Sequence, residues 1–290
     1  MALVLSVLEQ GFIYAILALG VYITYKILDF PDLTVDSSFP LGAAVCAMVI
    51  KSGLNPYLSL LLAFLSGALA GLITGVIHVK LGVRDLLSGI ITMTILYSVN
   101  LHIVGGQANV PIFNEDNIFK ISPLANVLPQ YNTVIVIFFV LLICKFAMDL
   151  YLKTKSGYLL RAVGDNEQFI TVLAKDKGKV KITGLVISNA LVALAGCVMC
   201  QQQRFFEISM GTGTMVIGLA SVIIGTNVFG KLSLLKATTA VIIGSVVYKA
   251  CVAISIALGL PAIDMKMITG VLFLIILVLS SFRRAGAEND

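Results

Sequence analysis

YLSLLLAFLSGALAGLITGVIH, residues 57–78, carries no charged side chain from Tyr57 to Ile77 and ends on His78. Crossing the hydrocarbon core of a bilayer as a helix takes about 20 apolar residues, and this run supplies them. Gly67, Gly71 and Gly75 fall four apart, in two overlapping G-x-x-x-G steps. On a helix they share one face, which permits close approach of a neighbouring helix. The rest of the chain has the same character. Of its 290 residues 59% are hydrophobic and only 12% charged, with a mean hydropathy of +1.02. Soluble domains carry about 25% charged residues, so this chain lacks the charge to cover a surface in water. An apolar exterior suits lipid, where a helix satisfies its own backbone.

Hydropathy places nine membrane elements, near 5–28, 39–50 with a polar lead-in from 30, 57–78, 86–103, 133–152, 182–203, 211–229, 237–257 and 267–282. The fold class expected is all-α, a polytopic transmembrane bundle forming one membrane domain over 1–290, with no room for a separate soluble catalytic domain. The segment from Leu3 to Leu28 is too long for a cleaved signal peptide and has no basic lead, so it reads as a retained span. The elements at 30–50 and 205–229 open on polar, Gly- or Pro-containing stretches and read as broken helices.

Lysine and arginine set the orientation. With the spans alternating, Lys26, Lys80, Arg84, Lys153, Lys155, Arg161, Lys175, Lys177, Lys179, Lys181, Lys231, Lys236, Arg283 and Arg284 share one side. Lys51, Lys120, Arg204 and Lys266 share the other. The richer side, with the loop 153–181 and the C-terminus, is expected in the cytoplasm of a bacterium, the chain sitting in its inner (plasma) membrane. The segment 104–132 becomes the largest external loop.

Two lead-ins echo each other. Asp32-Leu33-Thr34-Val35-Asp36-Ser37-Ser38 runs into Leu41-Gly42-Ala43-Ala44, and Glu207-Ile208-Ser209-Met210-Gly211-Thr212-Gly213 runs into Ile217-Gly218-Leu219-Ala220-Ser221. Each opens the second element of a run of four, and a single span separates the runs. That arithmetic predicts inverted repeats over about 1–104 and 182–284. Paired interrupted helices in such repeats mark a transport path, because irregular backbone at membrane depth must be buried or line a wet cavity. The path residues expected are Asp32, Thr34, Asp36, Ser37, Ser38, Glu207, Ser209, Thr212 and Thr214. Thr92 and Asn100, eight apart on one helical face, join them. The plainer alternatives are surface loops before ordinary helices, and interhelical hydrogen bonds for Thr92 and Asn100.

Several motifs lead elsewhere and fail. Gly225-Thr226-Asn227-Val228-Phe229-Gly230-Lys231-Leu232 approaches a P-loop, but Leu232 stands where the Mg²⁺-binding hydroxyl is needed and a membrane span precedes it. Any ATP must therefore be hydrolysed by another subunit. Cys197-x-x-Cys200 has no second pair, and His78 and His102 are the only histidines, so the five cysteines read as small hydrophobes. Asp29-x-x-Asp32-x-x-x-Asp36 resembles the first aspartate motif of UbiA-like membrane prenyltransferases, yet no second aspartate cluster exists. No metal, cofactor or nucleic acid is expected.

The cytoplasmic loop is the most specific stretch. Leu159, Leu160 and Val163, then Phe169, Ile170 and Leu173, form a two-part amphipathic pattern with Asp165 or Asn166 as an N-cap. Its run Arg161-Ala162-Val163-Gly164-Asp165-Asn166-Glu167 resembles the loop of permease subunits in the branched-chain amino acid and ribose class of ATP-binding-cassette importers. Gly89 to Leu101 (GIITMTILYSVNL) and Gly218 to Gly225 (GLASVIIG) are similar to the tryptophan-type branch of that class. The resemblance covers nearly the whole chain. It implies a coupling helix that docks on an ATP-hydrolysing subunit, with Leu160, Arg161, Ala162, Gly164, Asp165, Asn166, Glu167 and Phe169 as its contacts. It further implies an extracytoplasmic solute-binding protein, a second permease copy (a homodimer), a path for a small solute such as an amino acid, and no enzymatic activity of the chain's own. The rival readings are an ion-coupled secondary transporter and the prenyltransferase.

Overall fold

The computed structural model describes residues 2–125, 128–165, 176–229, 235–259, 264, 267–271 and 273–278. Its long helices are α1 (Ala2–Val21, continued by a π-turn over Tyr22–Ile27), α2 (Val35–Lys51), α3 (Pro56–Val79) and α4 (Asp85–Ile103). After a short helix α5 (Ile118–Ile121) come α6 (Asn132–Tyr151), α7 (Lys155–Asp165), α8 (Lys177–Gln203), α9 (Thr214–Ile224, with a π-turn over Gly225–Phe229) and α10 (Ala237–Ala257). Among the described residues seven helical stretches are long and apolar enough to cross a membrane: Leu3–Ile27, Pro56–Val79, Asp85–Ile103, Asn132–Tyr151, Lys177–Gln203, Ile208–Phe229 and Ala237–Ala257. The other two expected elements are shorter. α2 has 17 residues because it starts inside the bundle, and Met267–Val278 is a shorter apolar helix.

Local chemistry sets several boundaries. Asn55 caps α3, its side chain accepting the Tyr57 N–H at 2.9 Å, and Pro56 fills the first helical position. Asp176 caps α8 through the Lys179 N–H at 3.1 Å. That N–H donation holds the Asp176 carboxyl below its ordinary range. The cap therefore contributes at neutral pH and is lost only as pH falls through the lowered value. Arg204, in the left-handed region with φ 62°, ends α8.

α8 is the axis of the bundle, buried along most of its length and packed on α1, α2 and α3. The glycine face of α3 lies on it: Gly67 faces Asn189 and Ala193, Gly71 faces Leu185, and Gly75 faces Ile182. The partner number falls as the glycine number rises, so the helices are antiparallel. α2 crosses α8 at two more glycines. A methyl on Gly42 would overlap the Ala193 carbonyl oxygen, and one on Gly196 would overlap the Phe39 carbonyl oxygen. In lipid, where apolar area alone does not drive helices together, this backbone approach supplies the contact. α10 packs on α1, with Ser245 Oγ donating to the Gly11 carbonyl at 2.9 Å. The far sides of α3 (Leu61, Leu65, Leu69) and α6 (Phe139, Ile143, Phe146, Leu150) stay exposed, as lipid-facing surfaces do.

One end of the bundle carries two short strands, Asn109–Pro111 paired antiparallel with Phe205–Glu207. The opposite end carries α7.

Candidate functional site

Two helices begin at the middle of the bundle. α2 leaves the level of Asn189 and runs toward the strand-bearing end. α9 starts beside the first turn of α2 and runs toward the α7 end, where its last turn meets Ala240 of α10. Each therefore brings its N-terminus, and the positive end of its dipole, to the middle of the bundle. Asp36 of α2 reaches across to the start of α9. Its carboxylate accepts the Gly213 N–H at 3.1 Å and the Met215 N–H at 2.8 Å, and the Thr214 hydroxyl lies 3.1 Å from it. One interrupted helix is thus capped by a carboxylate from the other.

A second network ties the approach to α2. Asp32, fully buried, accepts the Thr34 N–H at 2.9 Å and Asn189 Nδ2 at 2.7 Å. Ser38 donates to Asn189 Oδ1 at 2.7 Å, and the Thr34 and Thr74 hydroxyls are 2.9 Å apart. From α4, Asn100 Nδ2 donates to the Ser37 carbonyl at 3.1 Å while Ser37 Oγ donates to the Met93 carbonyl at 2.9 Å. Asn100 Oδ1 is buried and has no partner among the described residues. Thr92 lies on the same buried stripe and bonds within its own helix, to Ser88.

Most of the expected path residues therefore meet: Asp32, Thr34, Asp36, Ser37, Ser38, Asn100 and Thr214. Glu207, Ser209 and Thr212 do not join them. Glu207 sits in the strand pair and accepts the Ser209 hydroxyl at 2.6 Å, and Ser209 and Thr212 are exposed. Asp32 and Asp36 are held in hydrogen bonds to different elements, and Asp29 is exposed with φ 51°. Among the described residues no group of three His, Cys, Asp or Glu could hold a metal ion.

At the other end, α7 packs through Gly157, Leu160 and Val163, all buried. Leu160 meets Gly184, and Gly164 lies so close to Ile27 that a methyl would overlap its carbonyl oxygen. Arg161 and Tyr158 face outward and Ala162 is half-buried. Asp165 ends the helix, while Asn166, Glu167 and Phe169 lie outside the described residues. Beside α7 a cleft of about 360 Å³ is lined by Tyr22, Lys153, Tyr158, Arg161 and Lys236 around Asp149.

Asp149 is a hub that hydropathy hides. It accepts Lys145 Nζ and Lys236 Nζ, each at 3.1 Å, and the Thr238 hydroxyl at 2.6 Å. The Lys145 and Asp149 spacing of four was the available signal. Asp149→Ala should lower the unfolding midpoint by about 3–8 °C, since truncating one partner of a buried charge cluster leaves the others uncompensated. Lys236 is 58% exposed, which keeps the effect below that of a fully buried pair. Thermal labelling of the buried cysteines by a thiol-reactive dye measures it, and an unchanged midpoint would refute the hub.

The sequence pattern of the family described as "Branched-chain amino acid transport system / permease component" matches residues 3–280. The chain belongs to this permease family. A tyrosine transport system permease protein of Clostridioides difficile is 44% identical, over 93% of this chain and 89% of its own length. A probable branched-chain amino acid transport permease of Methanocaldococcus jannaschii is 31% identical over 73% of this chain and 70% of its own length. A ribose import permease of Haemophilus influenzae is 26% identical over 78% and 70%. No solved structure matches significantly. As a member of this family the chain is a multi-pass transmembrane permease of a solute transport system, and the helical bundle above is the body of that permease.

Proposed function

We propose that this permease forms the translocation path of an ATP-driven importer for an amino acid, an aromatic one. The observation that carries the reading is the meeting of the α2 and α9 starts at membrane depth, with Asp36 spanning them. Interrupted helices at this depth must be buried or line a wet cavity, and paired ones mark a solute path. Asp32 to Ser38, with Asn100 and Thr214, line the path, and Glu207, Ser209 and Thr212 line its outer approach. The halves 1–104 and 182–284 act as inverted repeats: α3 lies on α8 as α10 lies on α1, each third helix on the first helix of the other half. The aromatic substrate follows from the tyrosine-transporting relative.

The α7 end faces the cytoplasm of a bacterial cell, and the strand-bearing end receives a solute-binding protein. A separate ATP-binding subunit docks on α7 and the segment after it, Arg161 to Phe169, and two permease copies complete the pore. Arg161 and Tyr158 offer the contact, while Leu160 and Gly164 seat the helix so that a push on it is felt at Ile27 and Gly184.

The double variant Tyr158→Ala/Arg161→Glu alters only exposed side chains, so it should fold normally. ATP-dependent tyrosine uptake by the reconstituted complex should fall at least tenfold, with the ATP-binding subunit recovered in lower yield on co-purification. Undiminished uptake would sink the coupling role. Ion-driven uptake by the purified single chain, without ATP, would favour a secondary transporter.

A further inference from the structure

Lys249 lies in the middle of α10, within the membrane, and is only 8% exposed. Its ammonium rests 3.7 Å from the centroid of the Tyr14 ring. Among the described residues no carboxylate pairs with it, whereas Lys145, Lys179 and Lys236 all have one. A charge inside a membrane protein without a counter-charge is costly, and ionisable groups kept there serve function. A face of Tyr offsets part of that cost but leaves the net charge unneutralised.

A cavity of about 410 Å³ opens beside the ammonium, between α1 and α10. Val7, Val252 and Ala253 give it apolar walls, and Ser6 and Gln10 add two neutral polar side chains. Leu3 and Ile256, 54% and 40% exposed, stand at its mouth. Among the described residues no acidic one lines it. Its volume is that of a small-molecule pocket. It sits toward the strand-bearing end, since the neighbouring Glu9 accepts Gln202 at the end of α8 at 3.0 Å. It is separate from the meeting point of α2 and α9.

We infer that this cavity binds a small organic anion with an apolar body, its carboxylate or phosphate seated on Lys249, with Ser6 and Gln10 as hydrogen-bonding partners and Val7 and Val252 against the body. The occupant brings the negative charge that the protein omits. The inference does not rest on the transport reading above. The anion can come from the aqueous phase as a free acid, or from the bilayer as a phospholipid headgroup.

The test uses the full chain in nanodiscs of phosphatidylcholine. Thermal unfolding is followed with a thiol-reactive dye, which reads the exposure of the buried cysteines. One arm adds 3-phenylpropionate, or 3-phenylpropanol as the uncharged match. The other replaces part of the lipid with phosphatidylglycerol. A midpoint raised by several degrees with the acid and not the alcohol identifies a free acid as the source. A rise confined to the phosphatidylglycerol arm identifies the lipid. Either rise should vanish in Lys249→Met, which keeps the stem and removes the charge. Should that variant fail to fold, the acid–alcohol and lipid comparisons on the native chain decide alone. No rise in either arm, an equal rise with the alcohol, or an undiminished rise in Lys249→Met overturns the site.

Discussion

Asp36→Ala is expected to abolish solute uptake and to lower the unfolding midpoint by roughly 6–20 °C. The carboxylate satisfies two backbone N–H groups at the start of α9 and lies against the Thr214 hydroxyl. Hydrogen bonds to a charged group contribute about 1.5–3 kcal/mol each, and their loss at membrane depth leaves orphaned donors with no water to take them. The terms are not additive, so about 3–5 kcal/mol is a fair sum, at 2–4 °C per kcal/mol for a chain somewhat shorter than this one. Asp36→Asn separates the roles. Its amide oxygen still serves Met215, but the Gly213 N–H then faces an NH₂ group. About half the thermal loss should remain, with uptake still impaired if the charge serves the path. A native midpoint and native uptake in Asp36→Ala would remove the cap from the account.

Gly42→Val should be more severe, with little folded protein recovered. The added carbons would enter space held by the Ala193 carbonyl, a backbone group in the middle of a helix buried along most of its length. A flexible side chain can swing away, but a backbone carbonyl cannot, so α2 and α8 must separate. Overpacking commonly costs about 1–3 kcal/mol where side chains can shift, and it costs more here, where the opposing atom is backbone and the nearby Ser38–Asn189 bond loses its geometry. Gly196→Val, on the other side of the crossing, should match it. Leu69→Ala, on the lipid face of α3, should change the midpoint by little more than about 1 °C. Folded yield by size-exclusion chromatography ranks the three, and a normal yield for Gly42→Val would refute the tight crossing.

The bundle was legible because lipid imposes a crude rule: long uncharged runs must be helices. Gly67, Gly71 and Gly75 announced a packing face, and the partner face on α8 answers it. The interruptions near 30 and 205 were legible from polar residues where apolar ones were due. What Asp36 touches was not legible, because its partners at 213–215 come from another element and no local spacing encodes them. The likeness of Glu207 and Ser209 to Asp32 and Thr34 did not tell which bonds they make, since Glu207 pairs with Asn109 and accepts the Ser209 hydroxyl. The orientation of α7 could have been read. Gly157, Leu160 and Gly164 recur at helical spacing, so they mark the inward face, and Tyr158 falls well away from it.

Asp32 and its partner Asn189 are 157 residues apart in the chain. At about 5–20 residues per second, a ribosome takes roughly 8–30 s to deliver the second after the first. For that interval a carboxylate and the bare glycine face of α3 must wait in the bilayer or its insertion machinery. The first half of the polypeptide is therefore an unfinished object. Severed before α8, it should be a ready substrate for membrane quality-control proteases, and split halves should survive only when made together.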